Sequence, residues 1–246
     1  MAQQELLERF RRARPNGIFL DFDGTLSEIV ARPDQARPIP EARTILAELA
    51  GRHNLVAVVS GRRTDEVRAL IESTEIEVFG HYGITESAGE GVRSPEVLSR
   101  VHEVAGSVPG AWVEDKEASL AVHYRAAADP AAAQGRLRPV LQAIADARGL
   151  TILPGKMVLE LAPADTPGKG SVILREARVR NLAGCFFAGD DRADLAGFAA
   201  LDELKADGTV IVKVAVKSEE TPQELIDEAD IVVEGPSGLL RLLARL

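Results

Sequence analysis

Short, nearly continuous apolar runs alternate along the chain with longer segments whose apolar residues have helical spacing. GIFLDF (17–22) and NLVAVVSG (54–61) have the length and composition of strands buried on both faces of a parallel sheet. Between them, PEARTILAELAGRH (40–53) has the periodicity of a helix. Further strands are predicted for EIEVFG, CFFAGD, TVIVKVAV and ADIVVEG, and further helices for TDEVRALIES, KGSVILREARV and SGLLRLLARL. This rhythm predicts an α/β fold with a doubly wound parallel sheet, as in Rossmann-like cores.

The segment from residue 87 to residue 163 has a different pattern. It predicts a helix, two strands, a long helix and two more strands, in that order. Strands that follow each other without an intervening helix pair in the antiparallel direction. The αββαββ order therefore predicts a separate α+β domain at 87–163, inserted into a core made of 1–86 and 164–246.

Composition narrows the function classes. With 38 acidic and 29 basic residues the chain has a formal net charge of -9, which argues against a basic nucleic-acid-binding surface. The single cysteine, Cys185, lies in an apolar run and cannot form an intrachain disulfide, so we expect it to be a buried apolar side chain. No apolar stretch is long enough to span a membrane, and the N-terminal segment has the pattern of an amphipathic helix. We expect a cytoplasmic monomer that binds neither nucleic acid nor membrane.

Four polar clusters follow predicted strands or open a predicted helix. They are Asp21 with Asp23; Ser60 with Gly61 and Arg62; Lys169; and Asp190 with Asp191 and Asp194. Any one of them is equally typical of a turn or of a helix start. Parallel α/β sheets, however, bind ligands beyond the carboxyl ends of their strands. Four such clusters in one chain therefore favour a shared site.

The chemistry of these residues favours phosphoryl transfer. Converging carboxylates repel each other unless a cation offsets their charge, and Mg²⁺ is a hard cation that takes few carboxylates and keeps some water. With Lys169 and the hydroxyl of Ser60, such an ion would hold the oxygens of a phosphoryl group. Asp21 is the candidate nucleophile, which would form an aspartyl-phosphate, and Asp23 is the candidate acid and base. Arg62 either assists with the phosphate or points to solvent.

Two other phosphate-binding classes fit this pattern less well. A Walker A loop needs Gly at position 163 and Ser or Thr at position 170, but the chain has Pro163 and Gly170. A phosphoacceptor signalling domain also clusters aspartates around Mg²⁺, but it usually lacks both an inserted domain and the acid two residues after the nucleophile. Asp23 and the insert therefore favour hydrolysis, and a catalytically silent sugar-phosphate sensor remains an alternative.

The four clusters resemble the motifs of haloacid-dehalogenase-type phosphatases. The residues that carry the resemblance are DFDGT (21–25), Ser60, Lys169 and GDDRAD (189–194). The resemblance implies a Mg²⁺-dependent phosphohydrolase with the core of that superfamily. The metal ligands it implies are Asp21, the backbone carbonyl of Asp23 and Asp190, with Asp191 and Asp194 as supporting acids, one of them binding through water.

The insert is similar to the cap of trehalose-6-phosphate phosphatases. The similarity lies in VEDKEASLAVHYR (113–125) and GKMVLEL (155–161). The family's sugar-contacting positions fall on Glu114, Lys116, Arg125, Lys156 and Glu160. Strand alternation predicts that Glu114 shares a face with Lys116, and that Lys156 shares a face with Glu160. Paired acids and bases offer donors and acceptors to sugar hydroxyls and neutralise each other when no sugar is bound.

Two stretches depart from the family pattern. Ala193 and Leu195 stand where the family has Thr and Glu, so a contact to the metal loop is expected to be missing. Thr85 stands at a Glu position, and Glu86 follows one residue later. We expect hydrolysis of trehalose 6-phosphate to trehalose and phosphate under a closing cap. A phosphatase of another glycosyl phosphate, of the sucrose, mannosylglycerate or aminocyclitol type, is the alternative.

Overall fold

The computed structural model describes residues 3–30, 32–83, 91–116 and 118–246. The chain divides into two units, which we call the core unit (Met1–Gly83 with Pro167–Leu246) and the insert unit (Ile84–Thr166). The predicted boundary between residues 86 and 87 lies outside the described residues. The predicted return to the core after residue 163 lies close to Pro167.

Strands and helices alternate in chain order as follows. The strands are β1 (Asn16–Leu20), β2 (Leu55–Val59), β3 (Glu77–Phe79), β4 (Trp112–Asp115), β5 (Leu120–His123), β6 (Leu150–Gly155), β7 (Val158–Pro163), β8 (Gly184–Gly189), β9 (Val210–Lys217) and β10 (Ile231–Glu234). The helices are α1 (Gln3–Arg12), α2 (Ala42–Ala50), α3 (Thr64–Ile71), α4 (Pro95–Gly106), α5 (Pro130–Arg148), α6 (Gly168–Val179), α7 (Leu195–Ala206), α8 (Gln223–Glu228) and α9 (Gly235–Leu243).

The core unit carries one sheet in the order β10-β9-β8-β1-β2-β3, in which every neighbouring pair is parallel. Strands β1, β2 and β8 are buried along their whole length. Such burial requires helices on both faces of the sheet. The prediction of a doubly wound α/β core is therefore confirmed.

Alternation within β1 divides its apolar side chains between two clusters. Ile18 and Leu20 pack with residues of α1, α2, α3 and α9, whereas Phe19 packs with residues of α6, α7 and α8. Consecutive side chains of a strand point to opposite faces, so each face of the sheet acquires its own helical layer. Burial of each such side chain contributes about 1.5–3 kcal/mol. The loops at the strand ends therefore leave from a firmly packed frame.

The insert unit has the predicted αββαββ order and forms an antiparallel sheet, β4-β5-β7-β6. One face of this sheet carries Val122, Leu159 and Leu161, which pack against apolar residues of α4 and α5. The opposite face carries the residues that lie between them in sequence. We call this second face the polar face; its residues include Trp112, Glu114, Ala121, His123, Val158 and Glu160.

The sequence prediction omits helices α7 and α8. Phe198, Leu201 and Leu204 of α7 are all buried, and small apolar residues fill much of the rest of the helix. A helix that is apolar on most sides has no clear polar face, so its 3.6-residue periodicity is weak. Helix α8 has only 6 residues, too few for a periodic signal.

Two expectations from composition concern Cys185 and membranes. Cys185 lies in β8 and is buried, as predicted, and burial raises the pKa of its thiol to about 12. The thiolate that would make it a nucleophile is therefore disfavoured. Across the part of the chain that the structure describes, no helix is long and apolar enough to cross a bilayer.

Candidate active site

Polar side chains lie at the carboxyl ends of three central strands and at the start of α6. Asp21 follows β1, Ser60 follows β2, Asp190 follows β8, and Lys169 lies in the first turn of α6. All four are buried. Because a buried charge is costly unless it is paired, these groups must be satisfied by close partners. Contacts between side chains join the four predicted clusters into one network.

The ammonium group of Lys169 joins three of the clusters. Its Nζ lies 2.7 Å from Oδ1 of Asp21 and 2.6 Å from Oδ1 of Asp194. One lysine thus ties the loops after β1 and β8 to α6. Its residue exposure is only 5%, which excludes a solvated surface lysine. Charge-assisted hydrogen bonds of this length are roughly twice as strong as neutral ones.

Three carboxylates form a group that fits a divalent cation. Asp21, Asp190 and Asp194 each offer one oxygen within 4.8 Å of the others. With Lys169 they carry a formal charge of minus two when all are ionised. Carboxylate oxygens are the donors that hard cations such as Mg²⁺ prefer. The two other predicted ligands, Asp23 and Asp191, lie outside this group of side chains.

Gly24 allows the loop after β1 to approach the carboxylate of Asp190. Its φ is +84°, and a Cβ at this position would lie 1.9 Å from Oδ2 of Asp190. Any side chain would therefore displace Asp190 as well as strain the backbone. Thr25, the next residue, donates a hydrogen bond from Oγ1 to Oδ1 of Asp190 at 3.4 Å. The DFDGT motif thus shapes the cation group from the opposite loop.

Asp194 organises the loop after β8. Its Oδ2 accepts hydrogen bonds from the backbone N–H groups of Asp190 and Asp191, both at 2.9 Å. Asp191 caps the short turn that follows, where its Oδ1 accepts the N–H of Arg192. Asp194 is therefore a support for the loop as well as a member of the acid group. A water-mediated role of Asp191 stays a prediction.

Opposing electrostatic effects act on the carboxylate of Asp21, the candidate nucleophile. Burial raises the pKa of Asp21 well above its usual value, and Lys169 acts in the opposite direction. Asp194 and Asp190 raise the pKa further because they are like charges. A cation bound to this group would act with Lys169 and favour the ionised carboxylate. The nucleophilic form of Asp21 thus depends on positive charge beside it.

The side chain of Arg62 does not point to solvent. It is buried and bonds the carboxylate of Asp23. Its Nε–H and Nη2–H donate to Oδ2 and Oδ1 of Asp23, both at 2.7 Å. Its Nη1–H donates to Glu66, and its guanidinium lies over the ring of Phe22. Burial lowers the pKa of Arg62, but Asp23 and Glu66 more than offset this and raise it. The guanidinium therefore stays charged.

Ser60 is buried at the end of β2 and is arranged as a donor. Its Oγ accepts a hydrogen bond from the backbone N–H of Arg62 at 3.2 Å. The hydroxyl proton is then available for an anion beyond the strand end. Gly61, next in sequence, is half-buried, and its part in substrate binding stays a prediction.

In the insert unit, the polar face places acids and bases side by side. Glu160 is 3% exposed and accepts hydrogen bonds from Nζ of Lys116, at 3.1 Å, and from the hydroxyl of Ser119. Nε2 of His123 lies 2.7 Å from Oε2 of Glu114, and the ring of Trp112 stacks on the imidazole at 4.3 Å between centroids. The contacts thus join Lys116 to Glu160 and His123 to Glu114. A role of Lys116, Glu114 and Glu160 in sugar binding stays a prediction.

Lys116 lies one residue beyond the end of β4, and its side chain reaches the polar face that also carries Glu114. Strand β4 ends at Asp115, and Lys116 lies in the turn to β5. There its backbone N–H donates to the carbonyl of Ser119 at 3.0 Å. From this turn the long side chain of Lys116 reaches Glu160, which lies on the same polar face as Glu114.

Lys156 does not lie on a strand face with Glu160. Strand β6 ends at Gly155 and β7 begins at Val158, so Lys156 and Met157 form a two-residue turn. Met157, the second residue of this turn, has a φ of +56°. Lys156 is therefore at the tip of the hairpin. Arg125 follows β5 and is half-buried; the roles of both residues in sugar binding stay predictions.

Four residues of these networks are missing from the sequence prediction: Thr25, Glu66, Ser119 and His123. Thr25 completes the DFDGT motif, which is a usable signal. Glu66 stands four residues after Arg62, a spacing that brings side chains together on a helix. For Ser119 and His123 no local signal exists, because their partners depend on the pairing of strands.

The departures from the family pattern have different outcomes. Leu195 packs against the cluster that contains Phe187 and Phe198, so an apolar contact occupies the place of the family's Glu. Thr85 and Glu86 lie outside the described residues.

A family model described as trehalose-phosphatase matches residues 19–229 of the chain. The trehalose-phosphate phosphatase of Mycobacterium leprae is 34% identical in an alignment of 176 positions, which covers 65% of this chain and 40% of that protein. That of Mycobacterium ulcerans is 32% identical in an alignment of 213 positions, which covers 76% of this chain and 54% of that protein. The chain thus spans only about half the length of these relatives.

A solved structure has the same fold. The C-terminal domain of the Candida albicans trehalose-6-phosphate phosphatase superposes with a TM-score of 0.82 and covers 100% of this chain and 97% of that one. The two sequences are 22% identical, so this likeness concerns the fold. The fold includes both the parallel core and the inserted domain.

Proposed function

Because the chain belongs to the trehalose-phosphatase family, we propose that it hydrolyses trehalose 6-phosphate to trehalose and inorganic phosphate. One observation supports this more than any other. Asp21, at the end of the central strand β1, lies 2.7 Å from the buried ammonium of Lys169, within a carboxylate group that fits a divalent cation. An aspartyl-phosphate mechanism requires an ionised carboxylate, and a cation bound beside Lys169 would keep Asp21 in that form.

In the first step a carboxylate oxygen of Asp21 attacks phosphorus. The bond from phosphorus to the 6-oxygen of the sugar breaks as the new bond forms, and Asp23 donates a proton to the leaving oxygen. Lys169 and the hydroxyl of Ser60 stabilise the charge on the phosphoryl oxygens. Lys169 is placed for this task because its Nζ already contacts Asp21.

In the second step water releases phosphate from Asp21. Asp23, now ionised, removes a proton from the water as it attacks phosphorus, and the bond between phosphorus and the Asp21 oxygen breaks. Asp23 is half-exposed, with 46% of its side chain accessible, so water reaches it more easily than the buried Asp21, Asp190 and Asp194. The step restores the free carboxylate of Asp21 and the protonated form of Asp23.

The proposed cation is Mg²⁺, held by Asp21 and Asp190, with the backbone carbonyl of Asp23 and the loop acids in support. When bound, it would offset negative charge on the phosphoryl oxygens and keep Asp21 ionised. Asp194 contributes by holding the backbone N–H groups of the loop after β8. The backbone of Asp190 is thus held by the carboxylate of Asp194.

We assign recognition of the sugar to the insert unit. Glu160 and Lys116, with Glu114, present acceptors and donors that suit several hydroxyl groups at once. A buried charge pair such as Lys116 with Glu160 gains little stability over an apolar pair. Its presence on the polar face is better explained by binding of hydroxyl groups, with Arg125 and Lys156 as further donors.

Phosphate release from a panel of sugar phosphates tests the proposal. We expect the highest kcat/KM for trehalose 6-phosphate, in comparison with sucrose 6-phosphate and glucose 6-phosphate. Asp21→Asn should lower turnover by at least about 10³-fold, because the nucleophile is lost. Asp34→Asn, at an exposed position, is the matched control and should keep full activity.

Three outcomes would contradict the proposal. Wild-type turnover by Asp21→Asn would exclude Asp21 as the nucleophile. Preference for another glycosyl phosphate would exclude trehalose 6-phosphate as the substrate. A phosphoryl group that stays on the protein for hours after substrate removal would indicate a phosphoacceptor domain instead of a phosphatase.

A further inference from the structure

Arg62 is an almost completely buried cation between two carboxylates. Its side chain is 7% exposed, and it bonds Asp23 through Nε and Nη2 and Glu66 through Nη1. The guanidinium is planar and its five donors have fixed directions. Partners at both ends, and the ring of Phe22 at 5.4 Å from Cζ, therefore fix its plane.

The plane of the Arg62 guanidinium sets the orientation of the Asp23 carboxylate. Both of its carboxylate oxygens accept from the guanidinium at 2.7 Å, in the bidentate geometry that aligns the two groups. Asp23 is far more exposed than Arg62, so the buried cation anchors the exposed acid and not the reverse. Any rotation of the guanidinium would turn the carboxylate with it.

Glu66 provides the anchor at the other end of the guanidinium. It lies four residues after Arg62, in the first turn of α3, and this turn is fixed because Val67 and Ile71 are buried. Without Glu66 the buried Nη1 would lose its carboxylate partner, and Arg62 would move toward water or toward Asp23 to compensate. Either movement would displace the carboxylate that Arg62 holds.

We propose that Glu66 is a positioning residue of the phosphatase. Through Arg62 it fixes the Asp23 carboxylate in the orientation from which a proton passes to the leaving oxygen. This inference rests on the proposed function, because it concerns the acid of the proposed first step. It adds a residue that does not touch the phosphate and that none of the sequence motifs contains.

The leaving group provides a readout that a purely structural role would not change. p-Nitrophenolate leaves without protonation, whereas phenolate and sugar alkoxides need a proton in the transition state. Misplacing the acid should therefore slow the hydrolysis of phenyl phosphate much more than that of p-nitrophenyl phosphate. Both aryl phosphates lack a sugar, so recognition of hydroxyl groups does not enter the comparison.

The experiment compares kcat/KM for the two aryl phosphates in Glu66→Ala and wild type. We expect a loss of at least about tenfold for phenyl phosphate, and a change within about twofold for p-nitrophenyl phosphate. Glu66→Gln keeps an acceptor for Nη1 and should recover most of the activity. Asp65→Ala is the matched control, because Asp65 is the neighbouring exposed acid and pairs with Arg63.

Equal losses for the two substrates, or no loss for either, would overturn the proposal. Arg62→Lys keeps the charge but not the bidentate geometry, so it should show the same selective loss if Glu66→Ala folds poorly. Failure of the proposed function is visible separately. It appears as an active Asp21→Asn variant, whereas failure of the positioning role appears as unchanged leaving-group dependence in Glu66→Ala.

Discussion

Single residues in both units carry charge that burial makes expensive. In the insert unit, Glu160 is nearly inaccessible yet faces Lys116 and Ser119 across a polar surface. Removing a charge from water costs several kcal/mol, and a single ion pair repays this cost only in part. A residue pair of this kind is informative because packing alone would favour an apolar side chain.

At Glu160 we predict a change in substrate affinity rather than in chemistry. Glu160→Gln should raise KM for trehalose 6-phosphate about 10- to 100-fold, the value of a hydrogen bond to a charged group. The kinetics with p-nitrophenyl phosphate should stay within about twofold, since it has no sugar. Glu96→Gln, on the exposed side of α4, is the control. Parallel changes for both substrates would contradict sugar recognition by Glu160.

His53 makes the stability of the core unit depend on pH. It is buried against Phe10, and its Nδ1 lies 3.0 Å from Oδ1 of Asn16. Burial, with Arg14 nearby, lowers its pKa to about 4 from 6.5. Between these values the unfolded chain binds a proton that the folded chain does not. The contribution to stability is therefore complete above about pH 6.5 and is lost as the pH falls toward 4.

The expected size of the effect is about 3 kcal/mol, from the shift in pKa. Urea unfolding at pH 7 and pH 4.5 measures it. The loss of unfolding free energy between these conditions should be about 2 kcal/mol smaller in His53→Gln than in wild type. His102→Gln, on the exposed side of α4, should behave like wild type. The same loss in all three proteins would show that His53 is not responsible.

At the scale of elements, the loop after β1 and the loop after β8 are adapted to each other. Gly24 and Asp190 meet without room for a Cβ, and Thr25 bonds the same carboxylate. The parallel register of β1 with β8 brings these two loops to the same edge of the sheet. The geometry of the cation group therefore depends on backbone conformation as much as on the acids.

We predict that Gly24→Ala lowers kcat at least about 100-fold, because the new Cβ displaces Asp190. It should also destabilise the fold by about 2–3 kcal/mol through strain at positive φ and the steric clash. Gly208→Ala separates the two effects. Gly208 has a φ of +93° with nothing near the Cβ position, so it should cost about 1 kcal/mol and leave kcat unchanged. A normal kcat in Gly24→Ala would contradict this account.

At the scale of the whole molecule, each unit has its own apolar core and its own sheet. All three carboxylates that fit a cation belong to the core unit. A ligand stabilises the structure to which it binds, by mass action. Binding of a cation should thus be visible in one unit and not in the other.

We predict that Mg²⁺ slows amide hydrogen exchange in the loops after β1 and β8 and leaves α5 unchanged. Chelation with EDTA should abolish phosphate release, and added Mg²⁺ should restore it. Asp190→Asn should abolish the slowing, because a ligand oxygen loses its charge. Uniform protection of both units, or turnover that survives EDTA, would contradict a cation site in the core unit.

Most of the architecture was predictable because its signals are local. The buried runs that became β1, β2 and β8, and the αββαββ order of the insert, follow from periodicity over a few residues. The DFDGT motif, the strand-end positions of Ser60 and Asp190, and the helix-start position of Lys169 are local as well. The prediction failed at Lys156, where the alternation of a strand was extended into a two-residue turn between β6 and β7.

The sequence by itself determined the fold class, the inserted domain and the set of candidate site residues, since each of these is set by short-range patterns. Only the tertiary structure decided which side chains pair: Arg62 with Asp23, Lys169 with Asp21 and Asp194, and Lys116 with Glu160. These partners lie far apart in the chain. Their distances are set by strand register and helix packing, and burial then makes each pairing obligatory, because an unpaired buried charge is too costly to keep.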